Sequence, residues 1–96
     1  MVVGIVTWEL HLAGCQSLKD KRQILKSLKD RLHREHQVSV AEVDLQDDPR
    51  RAMLGIALAA SSVPVCQSVL DHVLGKIRES RDCVLSDHQQ EIITGC

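Results

Sequence analysis

Glu9 and His11 stand two residues apart near the start of a 96-residue chain, and a carboxylate beside an imidazole is a general-base pair. Glu42 and Asp44 repeat that spacing with two carboxylates, which can share a proton or hold Mg²⁺. Neither pair comes with the rest of an active site. No evident nucleophile and no Gly-rich phosphate loop accompany Glu9 and His11, and the acidic cluster Glu42, Asp44, Asp47 and Asp48 has no Asp-x-Asp-x-Asp-Gly loop. Two carboxylates on an edge strand also discourage aggregation, and Arg50 and Arg51 are placed to pair with them across a hairpin. The expectation is therefore no catalytic residue, no metal site and no cofactor.

Cations make the third candidate. On a helical wheel of about 100° per residue, Leu18, Leu25, Leu28 and Leu32 fall on one stripe. Lys19, Arg22, Lys26, Lys29 and His33 fall on an adjoining stripe, and Asp20, Asp30 and Glu35 fall elsewhere. A segregated basic stripe suits an anionic partner such as RNA, bound through phosphates and so salt-sensitive. The alternative is a plain solvated helix face. The whole chain carries a net charge of only −1, so any such attraction is local. Lys21 is the odd member: it lies within the leucine stripe. It is expected to run along the core edge with its ammonium in water, or else to pair with a strand carboxylate.

The elements that position these residues follow from periodicity. Residues 2–13 alternate, with Val2, Gly4, Val6, Trp8, Leu10 and Leu12 on one side, as a strand with one buried face requires. Ser17 caps a helix to about His36, with Asp20 at its third position in place of the usual capping-box Glu. Residues 37–46 and 51–60 read as strands joined by the Asp47-Asp48-Pro49 turn. Ser61 and Ser62 precede a helix to about Ser80, with Pro64 in its first turn and Cys66, Val69, Leu70, Val73 and Ile77 as its buried stripe. Residues 82–94 form a last, mixed-polarity strand. The βαββαβ order makes residues 1–96 one α+β domain: a ferredoxin-like two-layer sandwich, with a four-stranded antiparallel sheet and two helices on one face. The first and third strands, the most apolar, belong in the sheet's centre.

No third layer remains for the other sheet face. Val3, Ile5, Met53 and Ala57, with Ala59, make it largely apolar there, and such a patch marks an interface such as that of a homodimer. Base stacking on this face is excluded, because the chain holds one Trp and no Phe or Tyr, and Trp8 points to the core. No Gly-x-x-Gly loop is present either. The four cysteines, Cys15, Cys66, Cys83 and Cys96, are widely spaced, without Cys-x-x-Cys or a zinc-spaced cluster, and no signal-peptide pattern precedes them. They read as reduced thiols of a cytoplasmic protein, with Cys66 in the core and Cys96 at the mobile end. No apolar run reaches the ~20 residues of a membrane span.

Three segments in this order, Ser17-Leu18-Lys19-Asp20-Lys21-Arg22, Val38 to Asp47 and Arg51-Ala52-Met53-Leu54-Gly55, resemble the bacterial YlxP-like family, and the match runs from Met1 to about Ile93. The resemblance implies the ferredoxin-like fold, a cytoplasmic location and, because the family's genes lie near those of translation factors, a role around the ribosome or RNA. It brings no list of catalytic residues to carry over. The chain departs from the family where an aromatic usually follows Gln46-Asp47, for here Asp48-Pro49 stand. Together these readings lead to a non-catalytic binding module that meets ribosomal RNA or a ribosomal particle through Lys19, Arg22, Lys26 and Lys29. The alternative is a homo-oligomeric protein- or ligand-interaction domain that uses the open sheet face. Neither reading involves a membrane or a known small-molecule ligand.

Overall fold

The alternation of Val2, Gly4, Val6, Trp8 and Leu10 becomes β1 (Val2–His11), with these five residues buried and the intervening ones facing away from the core. Strands β2 (Ser39–Asp44), β3 (Arg51–Ala60) and β4 (Val84–Thr94) join it in the order β2-β3-β1-β4, every pair antiparallel. The two apolar strands are indeed central. The computed structural model describes residues 1–80 and 83–94, so Cys96 and the start of the predicted last strand at residue 82 lie outside the described residues.

Helices α1 (Leu18–His36) and α2 (Val63–Glu79) cover one sheet face. At the head of α1, Ser17 Oγ accepts the Asp20 N–H at 3.2 Å, and Asp20 Oδ2 accepts the Gln16 N–H at 3.2 Å. The reciprocal arm of the capping box thus reaches one residue further back than the usual pattern. Gln37, at φ 53°, ends the helix in the left-handed region, with its N–H on His33 O at 3.0 Å. This cap is why β2 begins at Ser39 rather than at 37. Leu45, at φ 61°, turns the chain out of the strand before 46.

Leu25, Leu28 and Leu32 of α1 and Cys66, Leu70, Val73 and Ile77 of α2 pack on Val6, Trp8, Leu10, Leu54 and Ile56. Trp8 is 1% exposed, so it is core and not a stacking platform. A Cβ on Gly4 would stand 2.6 Å from Cys66 Sγ, so the missing side chain lets α2 lie close on β1. Cys15, Cys66 and Cys83 are buried thiols.

Candidate functional site

Lys21 is fully buried, and its ammonium is not in water. Nζ lies 2.7 Å from Glu42 Oε2 and donates to the carbonyls of Leu45 at 2.7 Å, Asp48 at 2.6 Å and Arg51 at 3.0 Å. The expectation of a solvated ammonium is corrected, and the alternative of a strand carboxylate partner holds. The reason is geometric. The β2–β3 connection folds over the first turn of α1 and aims its carbonyls inward, where a lysine with three donors meets them; the Leu45 carbonyl also accepts the Asp48 N–H at 3.0 Å. One of those carbonyls belongs to Leu45, whose left-handed backbone is unusual for a branched side chain.

The pairing of Glu42 with Asp44 is also corrected. The ladder with β3 shifts register between them, so Glu42 opposes Leu54 while Asp44 opposes the next residue, Met53. Glu42 therefore points under α1 to Lys21. Asp44 is exposed and accepts the Leu45 N–H at 2.8 Å. Asp48 accepts the N–H groups of Arg50 at 2.9 Å and Arg51 at 3.1 Å, which hold its carboxyl below the ordinary range. No group of three or more metal-ligating side chains occurs among the described residues.

Glu9 is engaged as well, but not by His11. Its Oε1 takes a hydrogen bond from Arg51 Nη2, and its Oε2 takes one from Ser86 Oγ at 3.0 Å. The Arg51 hydrogen bond, then that of Ser86, then the Arg51 charge pull its carboxyl below the usual value. Arg51 is correspondingly raised by Glu9. The carboxylate is thus held ionised rather than poised to accept a proton at neutral pH. Sequence reasoning looked for the partner of Arg51 in the acidic hairpin. The partner stands on β1, since Arg51 opposes His11 and so lies diagonally from Glu9. Ser86 reaches Glu9 because β4 carries a register shift between Glu9 and Leu10.

The basic stripe is confirmed as a surface. Lys19, Arg22, Lys26 and His33 are exposed, and Lys29 is half-buried. The flank they occupy is set by two contacts. Glu35 reaches Lys76 of α2 at 3.5 Å, and His33 Nδ1 lies 2.9 Å from Val38 O at the start of β2. The cations therefore line the outer side of α1, away from α2. Among the described residues, none of Lys19, Arg22, Lys26 and Lys29 is paired with a carboxylate.

The second surface is the uncovered sheet face. Val3, Ile5, Met53 and Ala57 all lie on it, with Val3 and Met53 half-buried and Ile5 and Ala57 exposed. The structure adds Val43, 52% exposed, and Ile93, 44% exposed. Val43 follows Ser39 and Ala41 onto this face by alternation and lies over Gly55, and the register shift then turns Asp44 onto the same face.

Comparison with known proteins places this architecture. A de novo designed protein with the ferredoxin fold, solved by NMR in solution, matches with a TM-score of 0.58, covering 99% of this chain and 88% of its own. At 15% identity that likeness is one of fold. The uncharacterized protein YlxP of Bacillus subtilis is 33% identical over 76 residues, which is 79% of this chain and 83% of that protein. The model of the family described as protein of unknown function (DUF503) matches residues 3–90, and the chain belongs to that family.

Proposed function

We propose that this protein is a cytoplasmic, non-catalytic binding module that meets RNA or a ribosomal particle through the outer flank of α1. The observation that carries the reading is the set Lys19, Arg22, Lys26 and Lys29, which shares one flank with no carboxylate partner among the described residues. At about 1.5 Å rise per residue the four span about 15 Å, enough to follow several successive phosphates. Recognition by such a helix reads charge and shape, not base sequence.

A non-catalytic role is supported by what holds the acids. Glu9 is engaged by Arg51 and Ser86, and Glu42 by Lys21. The cleft beside Glu9, lined by Thr7, Met53 and Asp87, measures about 130 Å³. Ligand pockets typically begin near ~300 Å³.

The test is co-sedimentation of the purified protein with small, large and assembled ribosomal particles across a salt series. Binding should weaken with salt and be lost in the triple charge reversal Lys19→Glu, Arg22→Glu, Lys26→Glu. The plot of log affinity against log salt should flatten by about one unit per phosphate contact removed. Binding that survives the reversal in a folded variant overturns the proposal.

A further inference from the structure

The two central strands present opposite relief on the uncovered face. β1 offers Val3, Ile5 and Thr7, and β3 offers Ala59, Ala57 and Gly55 directly beside them, in the pairs Val3↔Ala59, Ile5↔Ala57 and Thr7↔Gly55. A ridge thus runs alongside a trough. The far lip of the trough is Val43, whose Cγ1 would stand 2.8 Å from a Cβ on Gly55. The depression, lined by Ile5, Ala41, Val43, Gly55 and Ala57, measures about 300 Å³.

We propose that this face is the contact between two copies of the chain, related by a two-fold axis running along the strands, with the β1 ridge of each copy seated in the β3 trough of the other. An axis along the strands lays β1 over the partner's β3, so Ile5 meets a floor of alanine and glycine twice over. An axis across the strands would lay ridge on ridge and leave the trough empty. Void and overpacked contacts both lose the dispersion that close packing supplies. Two sheets packed face to face with their strands nearly aligned are a regular arrangement.

The area suffices. Four strands about 4.8 Å apart and up to about 33 Å long give roughly 600 Å² per copy, so about 1,200 Å² in all, the lower bound of a standard interface. The charges on the face argue against an anionic occupant, while the relief and the area argue for a second copy. Glu91 opposes Ile5, Asp87 opposes Glu9, and Asp44 opposes Met53, so carboxylates border the apolar area. They would repel nucleic acid or an anionic lipid surface. In the dimer Asp87 comes near the partner's Asp44, and salt screens that repulsion.

The test is sedimentation equilibrium from low micromolar to several hundred micromolar protein. The wild type should dimerise. Raising NaCl from about 0.1 M to about 1 M, where the screening length falls from about 10 Å to about 3 Å, should leave the dimer as tight or tighter. Ile5→Ala and Ala57→Ile should each weaken it at least tenfold, the first by emptying the trough and the second by filling it. The exchange Ile5→Ala with Ala57→Ile should restore it, because each ridge residue faces the partner's trough residue. Circular dichroism confirms that each variant is folded. A strictly monomeric wild type, or a dimer indifferent to both single variants, overturns the interface. A double variant no tighter than either single one overturns the two-fold arrangement.

Discussion

Lys21 Nζ and Glu42 Oε2 lie 2.7 Å apart and join α1 to β2 beneath the β2–β3 connection. The carbonyls of Leu45 and Asp48 in that connection and of Arg51 at the start of β3 close around the same ammonium within 3.0 Å. One side chain therefore neutralises a largely buried carboxylate, holds Leu45 in its left-handed conformation and pins the hairpin to the helix.

Replacing Lys21 should be costly. Lys21→Met keeps much of the volume but strands the Glu42 carboxylate and withdraws the ammonium from three carbonyls, and removing one partner of a buried pair costs about 3–5 kcal/mol. Glu42→Gln removes the negative charge but leaves the ammonium its three carbonyl acceptors, so it should cost less, about 1–3 kcal/mol. Urea unfolding of both variants measures this. Equal midpoints for Lys21→Met and wild type would show that the pair contributes nothing.

Acid should loosen the sheet at Glu9. Its carboxyl sits below the ordinary value in the folded chain because Arg51 and Ser86 bond the ionised form. A depressed carboxyl stabilises the fold above its unfolded value, about 4.3, and that contribution is lost as pH falls through the folded value. Asp48, held down by the backbone N–H groups of Arg50 and Arg51, adds to the same loss. Glu9→Gln should therefore be less stable than wild type at neutral pH. The gap should close below about pH 4 and stay constant through the neutral range. Denaturant midpoints across pH give the result, and a gap that widens in acid contradicts it.

Gly4→Ala tests the seat of α2. The new methyl would meet Cys66 Sγ at 2.6 Å and Leu70 Cδ1 at 3.3 Å, both in the packed core. Overpacking of this kind costs about 1–3 kcal/mol. Pairing the change with Cys66→Ala should recover part of the loss, since the clashing sulfur is gone. A double-mutant cycle by thermal unfolding reads that coupling.

Strand and helix positions were legible because their signals are local. The alternation through β1 and β3 and the leucine stripe of α1 need no knowledge of neighbours, and the element order follows from them. The basic flank was equally legible, since a wheel depends only on spacing. Even the anomaly of Lys21, a lysine among leucines, was visible as a place where the pattern broke.

What only the tertiary structure decided was pairing across elements. Which group took the Lys21 ammonium depended on where the β2–β3 connection folds back. Glu9 joined Arg51 and Ser86 instead of His11 because sheet order and the shift in β4 brought those side chains together. The shift in β2 separated Asp44 from Glu42, and the pairing of β2 with β3 laid Val43 over Gly55, so the trough beside Ile5 exists only in the folded sheet. Periodicity specifies which face a residue takes within its own element. One extra residue in a ladder reverses that assignment and leaves the local pattern unchanged, so the sequence by itself determined the elements and their order, and the folded sheet decided their partners.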